Sequence, residues 1–141
     1  MRLYLDNNVM IRPFDDQRQG RVWIETLAFS LVLSMIENGE AELIVSEVHR
    51  LENSAAPDVF RRNWVDQVLS LAAVNAPVSE LMKERAKELE LIGLTPLDAL
   101  HVSSAELSKA DYFLTCDDRL AKRYKGKMPV MSPPQFISTL G

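Results

Sequence analysis

The segment from Thr95 to Asp118, TPLDALHVSSAELSKADYFLTCDD, contains a helix, a strand and an acidic pair in direct succession. Threonine, proline and then Asp98 are typical of a helix start, with threonine as the N-cap and an acidic residue in the first turn. We predict that this helix extends to about Lys109, and that residues 112–115 form a strand ending just before the acidic pair. A helix followed by a short apolar strand is the unit of parallel α/β sheets.

The rest of the chain repeats this alternation. We predict further strands at 2–5, 42–45 and 129–131, and further helices at 21–38, after Ser46, at 57–71, 78–92 and 118–124, with a last helical turn at Pro133. A short apolar segment at 71–74 separates two of the helices. The pattern predicts an α/β protein, a three-layer α/β/α arrangement with a central parallel sheet. The length of 141 residues predicts one domain, residues 1–141.

Composition excludes several classes of protein. The net charge of −4 argues against a basic protein that coats nucleic acid, but it permits a nuclease whose acidic centre is neutralised by metal. Cys116 is the single cysteine, so no internal disulfide is expected, which fits a reducing compartment. The apolar stretch from Val22 to Ile36 is too polar and short to span a membrane, and the start of the chain lacks a signal-peptide pattern. We therefore expect a cytoplasmic protein with no membrane partner.

Four acidic residues lie at the ends of predicted elements: Asp6, Glu52, Asp98 and Asp117. In a parallel sheet, the carboxyl ends of the strands form the crevice in which ligands bind. Carboxylates gathered there need a counterion, and a hard divalent cation with oxygen ligands suits them. An acid cluster holding such cations is what metal-assisted hydrolysis of phosphodiesters requires.

Each acid also has an ordinary structural explanation. Asp6 suits a turn, Glu52 suits a solvated helix face, and Asp98 suits the first turn of a capped helix. Either Asp117 or Asp118 is expected to be the N-cap of the helix at 118–124, which leaves open which of the two faces the crevice. The argument for a site therefore depends on the four acids together.

The residues resemble PIN-domain ribonucleases, particularly the VapC-type toxins and their single-domain relatives, over nearly the whole chain. The matching segments are Leu5-Asp-Asn-Asn-Val9, Ser46 to Glu52, Leu97-Asp-Ala-Leu-His-Val-Ser-Ser-Ala105 and Phe113-Leu-Thr-Cys-Asp-Asp-Arg-Leu120. The resemblance implies a metal-dependent endoribonuclease in which Asp6, Glu52, Asp98 and Asp117 hold one or two Mg²⁺ or Mn²⁺ ions. One position departs from the family: Asn7 stands where threonine or serine is usual. Asn8 keeps the amide found one place later.

Other residues are expected around the acids. Four are predicted to support them or to contact the substrate: Asn8, Thr115, Asp118 and His101. A histidine such as His101, one helical turn after Asp98, is more often a packed or supporting residue than a metal ligand. Three arginines are predicted to contact RNA: Arg12, Arg119 and Arg123. The alternative for these arginines is an ordinary solvated surface charge.

The function predicted is that of a metal-dependent endoribonuclease, the toxin of a type II toxin–antitoxin pair. The resemblance also implies a homodimer and an antitoxin whose segment plugs the active site, and the wide apolar surface of the helix at 21–38 suits a partner. An alternative is a catalytically inactive PIN-like module that binds RNA or protein, which a missing acid would favour. A phospho-acceptor receiver domain is a further alternative. Such a domain requires an acid pair after the first strand and a lysine after the last strand, and neither is present.

Overall fold

The computed structural model describes residues 1–141 and is organised around a five-stranded sheet with strand order β3-β2-β1-β4-β5. The elements, in chain order, are β1 (Arg2–Leu5), α1 (Asn7–Met10), a 3-10 helix (Arg12–Phe14), α2 (Gly20–Glu37), β2 (Glu42–Ser46), α3 (Glu47–Ser54), α4 (Val59–Leu69), β3 (Ala72–Ala76), α5 (Glu80–Leu91), α6 (Pro96–Leu107), β4 (Tyr112–Leu114), α7 (Asp118–Arg123), β5 (Val130–Met131) and α8 (Pro133–Thr139). All four pairs of neighbouring strands are parallel. No helix is both long enough and apolar enough to cross a membrane.

The position of β1 decides where a ligand can bind. The chain proceeds from β1 outwards through β2 to β3, and then crosses back to place β4 on the other side of β1. The carboxyl ends of β1 and β4 therefore flank the point at which the strand order reverses, which is where ligand sites form in open α/β sheets. The Asp6 N–H donates to the Leu114 carbonyl oxygen at 2.9 Å, so the two strand ends are joined at this point.

Two hydrophobic cores lie on opposite faces of the sheet, because successive side chains of a strand point in opposite directions. Leu3 and Leu5 of β1 pack into a core that also includes buried residues of α1, α2, α4 and α8. Tyr4, between them, packs into the second core with residues of α5, α6 and α7. The predicted three-layer α/β/α class with a central parallel sheet is confirmed.

Two parts of the fold differ from the sequence prediction. The segment at 71–74, predicted only as apolar, overlaps β3 (Ala72–Ala76), an edge strand. Its first four residues alternate between partly buried and exposed, and Ala76 is buried. The polar region after β1 contains α1 and the 3-10 helix, which are four and three residues long and therefore too short to show helical periodicity. The other predicted elements are present, with ends that shift by a few residues.

Candidate active site

Asp6 lies directly after β1 and is held by two neighbours. Only 5% of the residue is exposed. Its Oδ2 accepts hydrogen bonds from Thr115 Oγ1 at 2.9 Å and from Asn8 Nδ2 at 3.1 Å. Asn8 is fixed in turn, because its Oδ1 accepts from the Cys116 N–H at 3.0 Å. The orientation of the Asp6 carboxylate is therefore set by residues at the ends of both β1 and β4.

Glu52 and His101 lie close to Asp6 and belong to two different helices, α3 and α6. The Ser46 side chain caps α3 and starts the helix that carries Glu52, while α6 carries His101. Glu52 Oε1 lies 2.8 Å from His101 Nε2. One ligand atom from each of Asp6, Glu52 and His101 lies within 4.8 Å of the others, so the Asp6 and Glu52 carboxylates are close enough to share a metal ion.

Asp98 and Asp117 both lie at helix N-termini. Asp98 is half-buried in the first turn of α6, and its N–H donates to the Thr95 side chain at 3.2 Å, as the sequence pattern predicts. Asp117 is the N-cap of α7, with Oδ1 accepting from the Arg119 N–H at 2.9 Å. Burial raises the pKa of the Asp98 carboxyl, as do the nearby charges of Asp117 and Glu52. Asp98 is therefore near enough to both Asp117 and Glu52 for their charges to act on it.

Asp118, the other member of the acidic pair, is directed elsewhere. Its carboxylate forms a two-point pair with the Arg21 guanidinium, at 2.7 and 3.0 Å, and its side chain is exposed. The guanidinium holds the pKa of the Asp118 carboxyl below its usual range. Asp118 is therefore engaged by Arg21, whereas Asp117 caps α7 and its charge contributes to the raised pKa of Asp98. Asp117 stays our prediction for the fourth acid.

The electrostatics of the cluster favour a cation. Burial raises the pKa of Asp6 from 3.8 to about 6; repulsion from Glu52 and Asp98 adds to this, while the Thr115 hydrogen bond opposes it. A divalent cation reverses the penalty, because it stabilises the ionised form of every acid at once. The donor set fits a hard ion, because it consists mainly of carboxylate oxygens. Asn7, next to Asp6 in sequence, also has a buried Oδ1 without a hydrogen-bond partner.

The predicted RNA-binding arginines occupy different environments. Arg12 is engaged by carboxylates, with Nε 3.0 Å from Glu25 Oε1 and Nη1 3.0 Å from Asp15 Oδ2. Arg123 donates to the Gly93 carbonyl oxygen at the end of α5, at 3.0 Å. Arg119 is exposed and its guanidinium has no hydrogen-bonded or ionic partner. Of the three, Arg119 is the one whose charge is free for a ligand.

Two charged residues near the site escaped the sequence analysis. Glu25 lies in the middle of α2 and is 2% exposed, between Arg12 and Arg21. Arg21 also donates to the Cys116 carbonyl oxygen at 2.8 Å, which ties α2 to the loop after β4. A glutamate that falls on the apolar side of a helix was the available signal, since such a residue is almost never fully buried unless it is paired.

A cavity of about 370 Å³ opens beside the acidic pair Asp117 and Asp118. Thr115 also lines it, together with residues of α2, α7 and the start of α8. Arg21 also contributes to its wall. Asp6, Glu52 and Asp98 are not among its lining residues, so of the four predicted acids only Asp117 faces this cavity.

Comparison with known proteins identifies the class. The family model described as "PIN domain" matches residues 3–126, and the chain belongs to this family. No curated protein matches the sequence. Among solved structures, the crystal structure of VapBC2 from Rickettsia felis bound to a DNA fragment from their promoter includes a chain that is similar in fold. The TM-score is 0.58 at 15% sequence identity, over 94% of this chain and 98% of that chain. At this identity the likeness concerns the fold.

Proposed function

We propose that the protein is a metal-dependent endoribonuclease that hydrolyses phosphodiester bonds of RNA. The observation that supports the proposal is the buried Asp6 carboxylate at the point of strand reversal, on which the charges of Glu52 and Asp98 act, with Asp117 acting in turn on Asp98. A partly buried cluster of this charge is costly without a cation and suited to hydrolysis with one.

Each residue of the site has a separate role in the proposed reaction. Asp6, Glu52, Asp98 and Asp117 would hold one or two Mg²⁺ or Mn²⁺ ions, directly or through water. The bound ion supplies Lewis-acid chemistry: it lowers the pKa of water and offsets the negative charge of the scissile phosphate. Thr115 and Asn8 keep the Asp6 carboxylate in one orientation through their hydrogen bonds.

A basic side chain beside the acids supports the choice of RNA as a ligand. Arg119 follows the Asp117 cap by two residues, and its guanidinium is exposed and unpaired. Phosphates are held chiefly by such cations, and a local positive charge is needed in a protein whose net charge is −4. Arg12 and Arg123 would contribute to binding only after leaving their present partners.

We further propose that the protein is the toxin of a type II toxin–antitoxin pair, acting in the cytoplasm. The sequence resemblance to VapC-type toxins and the likeness in fold to a chain of a VapBC2 complex support this. α2 also presents a row of large exposed apolar side chains, Trp23, Ile24, Leu27 and Leu31. A contiguous apolar surface of this kind is usually covered by another protein, here a second copy of the chain or an antitoxin segment.

The proposal is tested by incubating purified protein with a pool of structured RNA in the presence of Mg²⁺, Mn²⁺ or EDTA. Asp6→Asn removes the central carboxylate with little change in shape. Asp111→Asn is the matched control, because Asp111 lies at the start of β4, at the opposite end of the sheet, and accepts a hydrogen bond from the Arg2 N–H. We expect metal-dependent cleavage by the wild type and Asp111→Asn, and none by Asp6→Asn.

Two results would contradict the nuclease. One is cleavage that persists in Asp6→Asn or in EDTA, which would indicate a contaminant or a different centre. The other is a folded protein that binds metal and RNA but cuts nothing from a pool that includes tRNA, mRNA and ribosomal RNA. That second result would favour a binding module without catalysis.

A further inference from the structure

A continuous chain of buried side-chain hydrogen bonds connects Glu52 to the interior of the protein. His101 Nε2 contacts Glu52 Oε1 at 2.8 Å, and His101 Nδ1 contacts the Tyr4 hydroxyl at 2.6 Å. The Tyr4 hydroxyl then contacts Ser46 Oγ at 2.7 Å. Tyr4, His101 and Ser46 are each at most 2% exposed, so water does not compete for these bonds. Sheet, α3 and α6 are thereby linked by polar atoms inside an otherwise apolar core.

The inner end of this chain is fixed by the cap of α3. The Ser46 N–H can only donate, and it lies 3.0 Å from His49 Nδ1, so this nitrogen accepts and the His49 proton is on Nε2. Nε2 donates to the Leu5 carbonyl oxygen at 2.7 Å. Burial lowers the pKa of His49 to about 3, which keeps the ring neutral. Because His49 Nδ1 already accepts from the Ser46 N–H, the Ser46 hydroxyl donates its hydrogen to the Tyr4 hydroxyl oxygen.

The order of donors follows from this starting point. With the His101 proton on Nε2, facing the Glu52 carboxylate, every donor in the chain has an acceptor: Ser46 Oγ donates to Tyr4, and the Tyr4 hydroxyl donates to His101 Nδ1. An unsatisfied buried donor costs about 1–3 kcal/mol, so the chain selects this tautomer of His101. The Tyr4 ring cannot turn away, because it is stacked between His49, at 4.4 Å, and Phe113, at 5.2 Å, measured between ring centroids.

Glu52 is the acid in this cluster that most needs such support. Its side chain is 29% exposed, and His101 is its only hydrogen-bond partner. The carboxylates of Asp6 and Asp98 repel it. Without His101, the flexible Glu52 side chain would gain free energy by turning towards solvent, away from the cluster.

We propose that His101 and Tyr4 are positioning residues, which hold the Glu52 carboxylate beside Asp6 in the geometry that a metal ion requires. The proposal rests on the metal site of the proposed function, and it adds a division of labour within that site. His101 is a hydrogen-bond donor to a metal ligand and not a ligand itself, since both ring nitrogens already have partners. Partners of this kind typically contribute 10- to 100-fold to metal affinity or activity.

The test is Mn²⁺ binding by isothermal titration calorimetry, which requires no RNA. His101→Leu removes the donor, whereas His101→Gln keeps an N–H donor at the position of Nε2. Tyr4→Phe removes the hydroxyl and leaves the ring stack in place. Tyr124→Phe is the matched control, because it removes another buried tyrosine hydroxyl, which donates to Glu106 Oε2 at 2.6 Å on the far side of α6. Thermal unfolding in EDTA checks that every variant is folded.

We expect His101→Leu to bind Mn²⁺ about 10- to 100-fold more weakly than the wild type. His101→Gln should stay within a few-fold of the wild type, Tyr4→Phe should be weakened in the same direction as His101→Leu, and Tyr124→Phe should be unchanged. Should His101→Leu fail to fold, the comparison of Tyr4→Phe with Tyr124→Phe decides alone.

Three outcomes would overturn the proposal. The first is a Mn²⁺ affinity of His101→Leu equal to that of the wild type, which would exclude the positioning role. If His101→Leu does not fold, a Mn²⁺ affinity of Tyr4→Phe equal to that of the wild type would exclude it. Equal loss in His101→Gln and His101→Leu would make the ring itself the contributor, as in direct ligation. No Mn²⁺ binding by the wild type would remove the site. Failure of the nuclease proposal is separate and recognisable, since a protein with the expected order of Mn²⁺ affinities could still leave RNA intact.

Discussion

Replacing Asp6 with asparagine should stabilise the metal-free protein while abolishing its proposed activity. Asp6 is almost completely buried, and its pKa rises from 3.8 to about 6 in the folded state. Each step of one in pKa corresponds to about 1.4 kcal/mol, so the ionised carboxylate costs the fold about 3 kcal/mol at neutral pH. Asparagine keeps an oxygen for the bonds from Thr115 and Asn8 but carries no charge. For a chain of this length, a gain of about 3 kcal/mol raises the melting temperature by about 10 °C.

The raised pKa of Asp6 also predicts how the stability of the protein changes with pH. Because the folded pKa of Asp6 is raised, the favourable contribution of its protonated form is fully present below pH 3.8 and is lost as the pH rises through about 6. The stability advantage of Asp6→Asn over the wild type should therefore be small near pH 4 and reach its full size above pH 6. The measurement is urea unfolding in EDTA at pH 4, 5, 6 and 7.5, followed by circular dichroism.

Two comparisons make this test decisive. Asp111→Asn carries the same chemical change at the other end of the sheet and should behave as the wild type at every pH. Mn²⁺ should stabilise the wild type and not Asp6→Asn, because only a protein that binds the ion gains from its presence. Equal stability of the wild type and Asp6→Asn at pH 7.5 in EDTA would refute the reasoning, as would a difference that does not change with pH.

Three further predictions concern other parts of the chain. Gly93 has a φ of +106°, so Gly93→Ala should cost about 1–3 kcal/mol in urea unfolding, whereas Gly20→Ala, with open space around it, should be neutral or slightly stabilising. Burial raises the pKa of the Cys116 thiol to about 12, so a colorimetric thiol reagent at pH 8 should label it only as fast as the protein unfolds. Arg12→Gln should destabilise the protein by about 2 kcal/mol in the same urea assay. The reason is that Glu25 stays buried with Arg21 as its one remaining arginine partner. An unchanged urea midpoint would show that Glu25 needs no second cation.

Much of the fold was accessible from sequence because its signals are local. Caps such as Thr95 and Ser46, and the glycine after α2, mark where helices begin and end, and short apolar runs mark β1 and β2. The order of the strands has no local signal, since it depends on which distant segments pair. β3 was missed for a related reason: an edge strand buries only part of its surface, so its alternating pattern is weak.

The residues of the candidate site also divide into those with a local sequence signal and those without one. Asp6 and Asp98 are marked by their places at the end of a strand and in a capped first turn. Asp117 and Asp118 could not be separated, because both suit an N-cap, and the distinction comes from Arg21, which lies 97 positions away in sequence from Asp118. The importance of Tyr4 was equally hidden, since an aromatic residue in a buried strand needs no other explanation than packing. Only the fold reveals that its hydroxyl meets two polar partners.

The joining of β1 to β4 has a consequence for synthesis of the chain on the ribosome. The acids stand at positions 6, 52, 98 and 117, and the bond from Thr115 to Asp6 spans 109 positions. While the last third of the chain is still inside the ribosome, β1 has no β4 beside it and Asp6 has no Thr115. The site therefore cannot exist on a nascent or truncated chain, and any activity it supports begins only once the whole sheet can close.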